Sequence, residues 1–391
     1  MKHFKVLTAC IALSFGLLTG CQKEIDSSVQ PISAAQSSQL SVSAREKLHQ
    51  LRASLPTGSN ANIKAPGALL RKTDPQYRAM ALRALGLEPT PCDDNTLVNQ
   101  WLGRQLTDWS DDAFFYVDYT AMLDLPTYDA LFFENSSANQ TFGPKGEYTQ
   151  RLTKTFKDLQ RFWNIQSNDI VLAAMHGGML QDRSKVIRTY KEVYGLNDAD
   201  ATYYADLVML VLDAFPELRS GDHPLFTFNA FAQEGFNFPP YGKIPSKVIM
   251  GDGIMQAYTG IGYDDVAPQA ILAHEFGHQV QFQLNLFGSE ETPEATRRTE
   301  LMADAYSAYY LSHARGASMQ WKRVRQFLQV FFNIGDCSFS SPGHHGTPTQ
   351  RIAAAEWGYS IANNAQKQGH ILTSQEFTKL FEAQLPILVK Q

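Results

Sequence analysis

Two neighbouring stretches, 264–288 and 292–316, constrain this chain more than any other part of it. In the first, Asp264-Asp265 and Pro268 open a helix whose apolar residues Ile271, Leu272, Phe276, Val280 and Leu284 recur at helical spacing up to Phe287-Gly288. In the second, Thr292-Pro293-Glu294 opens a helix that closes near His313-Ala314-Arg315-Gly316. Only a short turn separates them, and helices joined in that way pack antiparallel, side by side. Any fold for this chain has to accommodate that pair.

The first helix carries Ala273-His274-Glu275-Phe276-Gly277-His278-Gln279. Two imidazoles four residues apart share one helix face, one turn from each other, and as neutral rings they can share a zinc ion. Holding a metal does not need Glu275, whereas activating a water for attack does. A catalytic zinc usually takes three protein ligands. The second helix offers Glu300 and Asp304, four apart on a surface otherwise made apolar by Leu301, Met302, Ala303, Ala305 and Ala308. Two unpaired carboxylates there would be costly. One can bind the metal while the other accepts the second ring N–H of a ligand histidine. Glu294 is the rival third ligand, but it sits in a first turn, where the helix dipole favours acids in any case.

His274-Glu275-x-x-His278 with Glu300-x-x-x-Asp304 resembles the gluzincin branch of the zincin metallopeptidases. The metzincin branch would need Gly at 281 and His at 284, where this chain has Gln281 and Leu284. The pattern is closer still to the neutral zinc metallopeptidases of bacteria, which also carry a histidine-glycine-threonine segment followed by a glutamine-arginine pair. Here that segment is His344-His345-Gly346-Thr347-Pro348-Thr349-Gln350-Arg351. The resemblance covers 226–359 at most. It implies one Zn2+ held by His274, His278 and Glu300, with Glu275 as general base, Asp304 behind a ligand histidine, and a peptide or unfolded protein as substrate. From the residues alone, Thr347-Pro348-Thr349-Gln350 is a helix-opening capping box, so His344 and His345 lie on the loop before a helix. Folded back to the metal, such a loop offers His345 to the oxyanion of a tetrahedral intermediate.

The other end of the chain has the layout of an export signal. Lys2, His3 and Lys5 precede the apolar run Val6 to Leu18, too short for a permanent span of about 20 residues. Leu18-Thr19-Gly20-Cys21 resembles the lipobox of bacterial lipoproteins. That resemblance implies loss of residues 1–20, a lipid on Cys21 as membrane anchor and, with Gln22 following, retention at the outer membrane of a two-membrane cell envelope. Residues 21–44, rich in Ser, Gln and Ala, read as a flexible tether with a reach of about 25 Å. With Cys10 in the signal and Cys21 lipidated, Cys92 and Cys337 remain to form one disulfide in an oxidising compartment.

Between these ends the pattern is mostly helical, at 45–55, 75–87, 148–163, 183–194 and 199–215, with the type of the aromatic-rich 101–133 left open. His176, beside Gly177-Gly178, reads as a structural histidine. After Gly221-Asp222-His223-Pro224 the runs shorten and alternate, giving expected strands at 225–232, 247–250 and 253–258. The last is expected either to line the metal cleft as an edge strand or only to support the core. The fold class is therefore α+β, mainly helical: a helical N-terminal region at 45–220 and a zincin-like catalytic domain at 221–391, with a small sheet before the metal helix. A net charge of −5 without any Lys/Arg cluster argues against nucleic acid as partner. The functional expectation is a zinc peptidase of the envelope, the alternative a zinc-stabilised, non-catalytic binding or chaperone-like lipoprotein.

Overall fold

The computed structural model describes residues 34–55, 95–288, 292–333, 345–366 and 369–390. The export signal, Cys21, the Cys92–Cys337 disulfide, the helix at 75–87 and His344 lie outside the described residues. Residues Leu40–Gln391 form one compact unit. Among the described residues there are thirteen α-helices and five short strands, an α+β architecture that is mainly helical. No described helix is long and apolar enough to cross a membrane.

The first helix, α1 (Ala34–Ser54), starts ahead of the expected Arg45. The Ser/Gln/Ala stretch read as tether contains no Gly or Pro from Ala34 onward, so nothing stops the helix that Ala44 and Leu48 anchor in the core. The aromatic-rich segment resolves into α2 (Leu97–Gln105), α3 (Asp111–Tyr119) and α4 (Leu125–Phe133), with side-chain N-caps from Thr96 and Ser110 on the first two. Helix α4 is buried on almost every side, which erases the polar face that would have marked its period. In α5 (Thr149–Phe162), by contrast, Leu152, Phe156 and Leu159 form one buried stripe.

Strand β1 (Val171–Met175) leads through a short 3-10 turn to α6 (Arg183–Glu192) and α7 (Asp198–Ala214), which Asp182 and Asn197 cap. Next come β2 (Ala230–Gln233), the hairpin β3 (Phe236–Phe238) and β4 (Gly242–Ile244), and β5 (Lys247–Gly251). The main sheet has the order β1-β5-β2, with β1 parallel and β2 antiparallel to the central strand.

Two strand expectations need correction. Of 225–232 only the end is strand, because Pro224–Thr227 forms a 3-10 turn. Residues 253–258 lie in a helix, α8 (Asp252–Gly260). Gly253, Ile254, Met255, Ala257 and Tyr258 are all buried, so a run of small and apolar residues carried no readable period. Close packing holds this helix in place, since a Cβ on Gly253 would meet the Pro224 carbonyl at 1.9 Å.

The remaining helices are α9 (Ala267–Gln283), α10 (Pro293–Ser312), α11 (Trp321–Asn333), α12 (Pro348–Gln366) and α13 (Ser374–Leu388). Helices α9 and α10 are antiparallel, as their connection requires. Ser307 Oγ donates to the Ala270 carbonyl at 2.9 Å and Gln281 Nε2 to the Thr299 carbonyl at 2.7 Å. Between these bonds a Cβ on Gly277 would come within 3.2 Å of the Ala303 Cα, so the glycine lets the backbones approach. One core joins the early helices to this pair: the Phe156 ring meets Phe276 at 5.8 Å, and Trp163 packs on Tyr306 at 5.0 Å.

Candidate metal centre

The helix pair brings His274, His278 and Glu300 together. Their ligand atoms lie within 4.8 Å of one another, and all three residues are buried. Each imidazole turns Nε2 towards the carboxylate: His274 lies 3.3 Å from Glu300 Oε2 and His278 3.3 Å from Glu300 Oε1. Two nitrogens and a carboxylate facing one point form a donor set that fits a divalent metal with affinity for imidazole.

The second nitrogen of each ring is also fixed. His274 Nδ1 donates to Asp304 Oδ1 at 2.9 Å, and His278 Nδ1 to Gln281 Oε1 at 2.8 Å. With Nδ1 carrying the proton, Nε2 presents its lone pair to the metal position. Gln281 is itself held, through its bond to Thr299, so both helices orient this ring.

Asp304 is fully buried and sits at the middle of a relay. It receives Arg351 Nε at 2.5 Å and Arg351 Nη2 at 2.8 Å, in addition to the His274 ring. Arg351 is itself only 1% exposed, and its Nη1 lies 3.6 Å from Glu300 Oε2. The guanidinium thus balances two carboxylates that burial would otherwise penalise. Helix α12 delivers it, and the predicted capping box starts that helix: Gln350 N donates to Thr347 Oγ1 and Thr347 N to Gln350 Oε1.

Charge is tightly correlated within the cluster. Burial disfavours protonation of both rings, yet Asp304 and Glu300 hold His274 above its ordinary pKa, and chiefly Glu300 does so for His278. Burial would raise Glu300, but the charge of His278 and the hydrogen bonds from both rings hold it well below the usual carboxylate range. These groups share positive charge where a cation would sit, so metal binding there displaces protons.

Glu275 is buried and close enough for its charge to act on His278. His345 is buried as well, and its charge contributes to lowering Glu300, so the structure brings the loop before α12 to the metal centre. Glu294 is absent from the cluster. Sequence reasoning missed one participant and the partner of another. Gln281 was read only as a departure from another motif, although its position three residues after His278 on one helix placed its amide beside that ring. Arg351 was singled out only through the glutamine-arginine pair of the resemblance, with no partner assigned, because that partner lies 47 residues away.

The edge strand β2 lies beside α9. Gln279, directly after His278, donates from Nε2 to the Gln233 carbonyl at 3.2 Å and to the Lys247 carbonyl at 2.7 Å. The sheet edge next to the metal helix is therefore 230–233 rather than the expected 253–258.

Comparison of the chain with protein-family profiles, curated protein sequences and solved structures returns no match.

Proposed function

We propose that this protein is a zinc-dependent peptidase of the gluzincin type, carried as a lipoprotein on the outer membrane of a bacterial cell envelope. The observation that carries the reading is the convergence of His274, His278 and Glu300, with each Nδ1 fixed and Glu275 buried beside them. A structural metal would not need a carboxylate in that place.

Bound zinc would supply Lewis acidity, polarising the scissile carbonyl and lowering the pKa of water towards about 7. Glu275 takes the proton of the attacking water and passes it to the leaving amine. Asp304 and Gln281 keep the two histidines in one tautomer and one orientation, while Arg351 holds Asp304 in place with two hydrogen bonds. His345, brought near Glu300 by the loop before α12, donates a hydrogen bond to the developing oxyanion. A peptide rather than another carbonyl compound is favoured by the antiparallel edge strand beside α9, which suits an extended backbone.

The test is cleavage of an unfolded protein, followed by mass spectrometry. Activity is expected to vanish with a chelator and return with zinc, and Glu275→Gln should keep zinc while losing nearly all turnover. Wild-type cleavage by Glu275→Gln would refute the assignment. Tight zinc binding without cleavage of any protein or peptide would instead favour the non-catalytic binding lipoprotein.

A further inference from the structure

A second polar site lies at the carboxyl ends of the two parallel strands. Met175 pairs with Gly251 in the β1/β5 register, so the next residues, His176 and Asp252, leave the sheet side by side. The carboxyl ends of parallel strands are where α/β sheets commonly place ligands. Here His176 Nδ1 donates to Asp252 Oδ2 at 2.7 Å. Asp252 is only 6% exposed, and its Oδ1 has no hydrogen-bond partner among the described residues. The hydrogen bond to Asp252 raises His176 above its ordinary pKa against the effect of burial, which favours a charged ring beside this carboxylate.

His176 lines a cavity of about 360 Å³ together with Asp129, Glu134, Asn139, Asp182 and Lys185. That volume suits a small molecule. None of the three metal-centre ligands lines it. Most of the wall charge is already spent. Asp129 accepts from Arg188 Nη2 at 2.7 Å and Lys185 Nζ at 3.3 Å, and Glu134 accepts from Lys185 at 3.2 Å and Gln140 at 3.1 Å. Asp182 Oδ1 accepts from the Ser184 and Lys185 amides. Among the charged side chains that line the cavity, this leaves three groups with no hydrogen bond to the described residues: the Nε2–H of His176, the third N–H of Lys185 and Oδ2 of Asp182. Two are cationic donors and one is an anionic acceptor.

We propose that this cavity binds a small zwitterion of the free amino-acid class, its carboxylate held by His176 and Lys185 and its ammonium by Asp182. A simple anion would leave Asp182 unmatched, and a simple cation would face His176 and Lys185 without a partner for either. A ligand carrying both signs answers all three groups and adds no net charge beside Asp129, Glu134, Asp182 and Asp252, which Lys185, Arg188 and His176 already offset but for one negative charge. This site does not depend on the metal centre being catalytic.

The test is calorimetric titration of the full chain with glycine and L-alanine, with acetate and methylammonium as single-charge probes. The amino acids should bind saturably, and each single-charge probe about tenfold more weakly or less. His176→Gln and Lys185→Met should each weaken glycine binding about tenfold. In parallel, glycine should shift the ring resonances of His176 in the wild type, a readout that does not depend on how the variants fold. Absence of saturable binding, acetate binding as tightly as glycine, an unshifted His176 ring, or wild-type affinity in a folded His176→Gln protein would each overturn the proposal. The last result is also what binding at the metal centre would give.

Discussion

Replacing Arg351 by Met isolates the part of the metal centre that comes from outside the helix pair. The guanidinium, 1% exposed, makes two bonds to Asp304, a carboxylate with no exposed surface, at 2.5 and 2.8 Å. Met fills much of the side-chain volume but leaves Asp304 with the His274 ring as its remaining bonded partner. Removing one member of a buried, hydrogen-bonded ion pair costs about 3–5 kcal/mol, because the other charge stays in a poorly solvating place. Since Asp304 also orients His274, zinc affinity should fall about 10–100-fold. Denaturant unfolding of the metal-free protein reads the first effect, and competition with a chromogenic chelator reads the second. The pairing itself is tested by a double-mutant cycle with Asp304→Asn: the double variant should be more stable than the sum of the single losses predicts, by up to about 3 kcal/mol. Strict additivity, or an Arg351→Met loss below about 1 kcal/mol, would show that the two side chains do not act as a buried pair.

Other expectations follow from single contacts. Gln281→Leu removes the acceptor at 2.8 Å from His278 Nδ1 and should weaken zinc binding about 10–100-fold, measured by the same competition; unchanged affinity would refute its orienting role. Gly277→Val places side-chain atoms where a Cβ alone would lie 3.2 Å from the Ala303 Cα, so a loss of about 1–3 kcal/mol is expected in denaturant unfolding, and wild-type stability would contradict the close helix crossing. Lys247 is fully buried, donating to the Ala130 and Leu131 carbonyls, and burial lowers its pKa from 10.5 to about 7. Between those values the unfolded chain binds a proton that the folded chain does not, so this residue makes stability rise with pH across that window, and its cost is complete below about 7. The unfolding free energy of wild type minus Lys247→Met should therefore climb by up to about 1.4 kcal/mol per pH unit within that window; a difference independent of pH would refute it.

The helices with one polar face were legible in the chain. Thr149–Phe162, Arg183–Glu192 and Asp198–Ala214 fall within a residue or two of expectation, because capping residues and a one-sided apolar stripe are local signals. The short segments that are buried over most of their length were not. Val171–Met175 and Asp252–Gly260 are both short runs of small and apolar residues, one a strand and the other a helix. Burial from every direction removes the polar face on which a period could be read.

The metal centre divides along the same line. By itself the sequence determined the pair of histidines one turn apart, the carboxylate between them and the antiparallel helix carrying Glu300 and Asp304, because helical periodicity and a short connection leave those groups little other arrangement. Tertiary structure decided which residues hold them. Asp304 took His274, Gln281 took His278, Arg351 arrived from a helix 47 residues further on to balance the buried acids, and His345 came with it. Such partners are chosen by packing, since a buried charge or ring nitrogen must be satisfied by whatever polar group the fold brings within reach, however distant it is in the chain.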